Sequence, residues 1–199
     1  MRWDLLFDDL ESQLDQEQRD EERALALEEE RLRLGRLTLR DRLIAMSGDS
    51  GDGSQASIRI ELRGARELDV RPLAFGRDWM SAAVHPSGPG GWQCIVPFAA
   101  LAAVLPTAEQ LGPSLESPAQ ASARLAVRIG LPFVLRDLCR RRTAVHLSTD
   151  DGRVHGTIDR VARDHLDLAV HEPGTVRRDQ EVRGIRIIPL EQIVLVAFS

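Results

Sequence analysis

The chain has no tyrosine, and none of its 26 basic residues is a lysine. Phenylalanine and tryptophan together make up 4% of it. Any interior is therefore aliphatic, and a platform of rings on which nucleic-acid bases stack is not available in quantity. The all-arginine basic set is most simply the mark of a GC-rich genome, although guanidinium groups also suit paired contacts to phosphate or carboxylate. Cysteine is scarce too: Cys94 and Cys139 lie far apart without CxxC spacing, which argues against a disulfide framework and for a reduced compartment. No apolar run approaches the length of a membrane span, and the opening MRWDLLFDD lacks the cationic start of a secretory leader. A soluble, cytoplasmic protein is expected.

Chemistry-bearing motifs are equally sparse. There is no GxSxG elbow, and the glycine-rich GDSGDG carries acids and follows a helix rather than a strand, unlike a phosphate loop. His85, His146, His155, His165 and His171 show no HxxxH spacing and read as surface or turn residues. Asp150 and Asp151 read as turn residues, Asp159, Asp164 and Asp167 alternate along strands, and Cys139 reads as a small apolar residue on a helix. No metal, cofactor or enzymatic activity is expected.

What is present is pattern. The formal charge of −5 conceals an asymmetry, because residues 1–31 hold 12 acids against 4 arginines and the remainder is mildly basic. Residues 1–45 read as helix throughout, with Trp3, Phe7, Leu10 and Leu14 on one stripe, followed by DQEQRDEER, which has no apolar residue. That stripe either folds back or forms a docking helix for a partner or a second copy. Residues 46–56 read as a loop. From 57 to 105 the pattern is β, beginning with SIRIEL, in which Ile58, Ile60 and Leu62 share a face. Pro72 and Pro97 require bulges, edges or strand ends. Residues 106–122 read as a linker, and 123–199 as a helix followed by further strands.

The two halves repeat one another. LTLRDRL (37–43) matches PFVLRDL (132–138); Gly76-Arg77-Asp78-Trp79-Met80 matches Ala162-Arg163-Asp164-His165-Leu166 at an offset of 86, and Val96-Pro97-Phe98 matches Ile188-Pro189-Leu190 at 92. Each half has too little β pattern for two layers, so its sheet is expected to curl on itself. The expected fold class is α+β: a long N-terminal helix, then two tandem small SH3/Sm-like barrels, each preceded by a helix.

On the stretch VHLSTDDGRVHGTIDRVARDHLDL and on VRGIRII, the second repeat resembles the Sm-like superfamily of RNA-associated small barrels. In that family RNA bases sit between a loop bearing an Asp and a loop bearing Arg-Gly, so the resemblance nominates Asp164, Asp167, Arg183 and Gly184. IIPLEQIVLV is similar to the end of PRC-type barrels, which are mostly docking surfaces for proteins or ribosomes. MRWDLLFDDLE resembles proteins of high-GC Gram-positive bacteria, some carrying a Fis-type transcriptional-regulator label, but the final residues read as a strand rather than a helix-turn-helix. Arg140, Arg141 and Arg142 either cap a helix or join Arg153, Arg160, Arg163, Arg177, Arg178, Arg183 and Arg186 in a basic face on the second repeat. The sequence thus predicts a non-enzymatic binding protein, with weak RNA binding on the second repeat or, alternatively, an adaptor function with no nucleic-acid role.

Overall fold

The computed structural model describes residues 2–48, 56–84, 91–116, 126–175 and 177–198, with side chains omitted for 2–15 and 126. Residues 49–55 of the expected 46–56 loop, residues 85–90 with His85, and residues 117–122 of the expected linker lie outside the described residues, as do the side chains of Trp3, Phe7, Leu10 and Leu14. The chain divides into two units, Met1–Thr38 and Leu39–Ser199.

The first unit is the helix α1 (Arg2–Gly35), stitched on its surface by i,i+3 pairs such as Arg23 with Asp20 and Arg33 with Glu30. The continuous helix expected to residue 45 ends at Gly35, and a new one, α2 (Leu39–Met46), begins after a turn.

The second unit is built on a ten-stranded antiparallel sheet. Its strands are β1 (Ile58–Leu62), β2 (Arg66–Phe75), β3 (Trp79–Val84), β4 (Trp92–Pro97) and β5 (Leu101–Leu105), then β6 (Ala144–Thr149), β7 (Gly152–Val161), β8 (His165–Val170), β9 (Gly184–Pro189) and β10 (Ile193–Phe198). They lie in the order β5-β1-β2-β3-β4-β10-β6-β7-β8-β9. Each half thus keeps one internal order, and the halves join where β4 pairs with β10 through Ile95–Val196, Cys94–Ala197 and Gln93–Phe198.

The repeat read from the sequence holds in the hydrogen-bond register. Val70–Val84 pairing becomes Gly156–Val170, and Phe75–Met80 becomes Val161–Leu166. The β2 bulge between Pro72 and Ala74 recurs between Ile158 and Arg160 at the same offset, which also accounts for Pro72. The turn after β4 repeats as well: Phe98 N–H donates to the Asp78 carbonyl at 2.9 Å, and Leu190 N–H to the Asp164 carbonyl at 2.8 Å. Helix register needs a small revision, because Arg40 Nε bonds the Gly76 carbonyl as Arg136 Nη2 bonds that of Ala162, aligning Leu39-Arg40-Asp41 with Leu135-Arg136-Asp137.

Two separate closed barrels are not what forms. The sheet is open and continuous, because β4 and β10 turn their outer edges to each other and use both up in one junction. Two cores result. α2 contributes Leu43 and Met46 to the first, with Ile58, Ile60 and Leu62 from β1, Met80 from β3 and Val96 from β4. The second gathers Leu135 and Leu138 from α4 (Leu131–Arg140) with Leu147, Ile158, Leu166 and Leu168. At roughly 1.5–3 kcal/mol for each fully buried side chain, these clusters are the main favourable term. The junction strands serve both cores: Ile95 leaves its own half for the second core, whereas Val194 and Leu195 of β10 enter the first. Alternation sends Ile95 and Val96 to different cores, and the register shift between Ile193 and Leu195 lets the consecutive Val194 and Leu195 enter the same one.

The expected linker is ordered over its first part. Thr107 caps α3 (Ala108–Leu111) in a reciprocal box with Gln110, whose amide also donates to the Ser57 carbonyl at 2.8 Å. Ser114 is fully buried and accepts from Arg42 of α2 at 2.9 Å.

Candidate interaction surfaces

The residues nominated for RNA do not converge. Asp164 sits at the turn between β7 and β8, whereas Gly184 begins β9 opposite Val170, at the far end of β8. His165 pairs with Pro189 and Val170 with Gly184, so five residues separate the two places, about 17 Å at ~3.4 Å per residue. Asp167 lies between them on β8, with Arg160 Nη1 at 3.6 Å. The Asp164 carboxylate receives His165 Nδ1 at 2.7 Å, and that contact holds its pKa below the ordinary carboxylate value.

Six arginines of the expected basic face, Arg140, Arg141, Arg142, Arg160, Arg177 and Arg183, are paired with carboxylates of their own repeat. Arg140 and Arg141 both engage Asp137, the latter at 2.7 Å, and Arg183 meets Glu172 at 2.5 Å. Arg142 ends α4 in a Schellman arrangement: it adopts φ +53°, its N–H donates to the Cys139 carbonyl, and Thr143 N–H donates to that of Leu138. Its side chain reaches Asp159 at 3.2 Å. Asp159 is the hub of this side. Arg177 holds it in a fork, Nε to Oδ1 at 3.0 Å and Nη2 to Oδ2 at 2.7 Å, and also reaches Asp179. That fork keeps the Asp159 pKa below its usual value and raises that of Arg177. The cluster ties the segment before β9 to β7 and to the end of α4.

Two other arginines of the expected basic face behave differently. Arg153 and Arg186 line an open cleft of about 580 Å³ together with Thr149, Asp151 and Gln192, and neither has an ion-pair partner among the described residues.

The histidines split between a stack and a turn. His146, on β6, faces His155 on β7 with ring centroids 4.4 Å apart, and His155 meets His171 at 5.1 Å. The register makes this pair the counterpart of Arg59 and Asp69, an ion pair at 3.0 Å in the first half. Both His155 ring nitrogens are buried without a partner, and desolvation, reinforced by the neighbouring rings, lowers its pKa. The neutral ring is therefore the form this fold favours. His171 is buried and satisfied, with Thr157 Oγ1 at 2.9 Å from Nε2. Among the described residues no group of three or more His, Cys, Asp and Glu is placed to hold a metal ion. Burial pushes the Cys94 thiol up to about 12, so it stays protonated and unreactive. Cys139 places Sγ 3.3 Å from the Asp159 carbonyl.

Two surfaces were not singled out by sequence reasoning. The first is the turn Arg77-Asp78-Trp79, which grips the chain entering α4. Arg77 N–H and Trp79 Nε1 both donate to the Ile129 carbonyl, at 2.8 and 3.1 Å, and Asp78 Oδ1 accepts from Leu131 N–H at 2.7 Å. The Trp79 ring covers Gly76, where a Cβ would come within 2.1 Å of its nitrogen. This explains why the glycine–tryptophan pair of the first repeat becomes alanine–histidine in the second. The second surface is the free edge of β9, where Ile185 and Ile187 are exposed. The sequence IRII carried a signal here, since apolar residues on both faces of a strand imply cover on both sides. No described helix is long and apolar enough to cross a membrane. Compared with family models, with curated proteins and with solved structures, the chain finds no match.

Proposed function

We propose that the protein is a non-catalytic binding module that acts as an adaptor between protein chains. The observation that carries this reading is the unpaired edge of β9, whose exposed Ile185 and Ile187 offer main-chain hydrogen bonds and apolar side chains together. The reading also draws on Asp137, Asp159 and Glu172, which pair with Arg140, Arg141, Arg142 and Arg183 and reduce the positive field on that side. The shared strand order of the halves supports a small-barrel kinship for each repeat. The N-terminal stripe Trp3, Phe7, Leu10 and Leu14 belongs to the same reading as a second contact, in a cytoplasmic protein without cofactor.

One observation favours a second reading. The cleft with Arg153 and Arg186, two members of the expected basic face without an ion-pair partner among the described residues, would give weak RNA binding away from Asp164 and Arg183. Titrating the full chain into a labelled single-stranded RNA at 50 and 200 mM salt decides between them. The adaptor reading expects no binding at micromolar protein in either buffer. Micromolar affinity that weakens at least about tenfold between the two buffers would replace it with the RNA reading.

A further inference from the structure

The cleft beside β9 holds charge that the scaffold of the repeat does not require. Arg153 and Arg186 line it without an ion-pair partner among the described residues. The register that relates the halves gives their counterparts: Arg66, Glu67 and Cys94 of the first half occupy the positions of Gly152, Arg153 and Arg186. A carboxylate has been replaced by a cation, and a fully buried cysteine by an exposed arginine. The same strand order forms in the first half with neither guanidinium, so both belong to the second repeat alone.

The first half adds to the field. Arg66, at the start of β2, has no carboxylate partner among the described residues, and desolvation, followed by the charge of Arg153, lowers its pKa. Like charges brought together, one of them partly desolvated, carry a cost in free energy that an anion in the cleft would offset.

The rest of the lining selects the anion. No aromatic ring is among the described residues that line the cleft, so a nucleic-acid base finds nothing there to stack on. Asp151 lines the same cleft and repels a backbone charged at every nucleotide, whereas a peptide places its carboxylates singly. Beside the cations, the free edge of β9 offers main-chain donors and acceptors to an added strand. Its side chains alternate, Arg186 lying on the face of buried Ile188 and exposed Ile185 and Ile187 on the other. We infer that this cleft receives an extended acidic segment of a partner protein, laid along β9 with a carboxylate opposite Arg186 and within reach of Arg153, and with apolar residues beside Ile185 and Ile187. A strand that alternates acidic and apolar residues matches both faces at once, because residues directly opposite share a face. The internal junction makes a different demand: there the position of Arg186 is held by Cys94, opposite Ala197.

The inference rests on the adaptor reading and specifies the chemistry of the partner. Its test is fluorescence anisotropy of the full chain with three labelled peptides of about eight residues, long enough to span β9, in which valine alternates with glutamate, lysine or threonine. The glutamate peptide should bind saturably, at least about tenfold more tightly than either of the others, and its affinity should fall between 50 and 200 mM salt. Arg186→Glu should weaken the glutamate peptide at least about tenfold and strengthen the lysine peptide, a reversal that loss of folding cannot produce. Arg153→Glu should move both affinities in the same directions. Equal binding of the glutamate and threonine peptides overturns the charge assignment and leaves the adaptor reading standing. Failure of all three peptides to bind also overturns the inference, and leaves the adaptor reading to the RNA titration. Binding of single-stranded RNA that Arg186→Glu abolishes overturns both and makes the cleft a phosphate site.

Discussion

Replacing Ile95 by alanine is expected to lower the stability of the fold by about 2–5 kcal/mol, the range for truncating a well-packed aliphatic side chain to alanine. The same change at Ile187 should cost less than about 0.5 kcal/mol, as surface substitutions usually do. The two positions occupy one register slot, and the two residues are identical. The surroundings differ: Ile95 sits against the second core, and Ile187 is 69% exposed. Denaturant unfolding of each variant measures the contrast. Equal losses would mean that the junction contributes no packing of its own.

Gly156→Ala is expected to cost about 3 kcal/mol and to lower the melting temperature by roughly 6–12 °C at this chain length. A Cβ on Gly156 would lie 2.2 Å from the Ala169 carbonyl oxygen and 3.0 Å from its carbon. The obstacle is backbone rather than a flexible side-chain end, and Thr157 is locked opposite Ala169 in the β7–β8 ladder, so relief requires strands to part. The first repeat has Val70 at this position, so the glycine is a feature of the second repeat alone. Thermal unfolding followed by circular dichroism checks it. A melting temperature within 2 °C of the parent would show that β7 and β8 lie farther apart than described.

Much of this architecture was written locally. The alternation in SIRIEL, the proline-marked bulge and strand end, and the constant offset of 86 gave the elements and the repeat, because period-2 burial and bulges act over a few residues. The capping pattern Thr107-Ala108-Glu109-Gln110 was equally local, but it lay inside a segment whose proline and serine content suggested a linker. The closure of each half was not legible. Whether an outer strand pairs within its own repeat or with its neighbour depends on which edges meet in space, and strand patterning is the same in both cases. The ion pairing within the basic face was hidden for a related reason: counting arginines along the chain does not reveal that Asp137, Asp159 and Glu172 fold back onto some of them. Arg183-Gly184 matched a loop motif by composition but begins β9, a full strand away from Asp164. Conversely, Ile187 looked like ordinary strand patterning until its counterpart Ile95 showed what that register slot does when a neighbour is present.

The central claim is that one sheet runs through both halves by way of β4 and β10. Cross-strand nuclear Overhauser contacts in the labelled full chain test it most directly. The structure predicts contacts linking Ile95 with Val196 and Gln93 with Phe198, with β4 amides protected from exchange as fully as those of β3. Exchange-labile β4 amides without any contact to β10, alongside intact pairing within each half, would contradict it and leave two independent sheets.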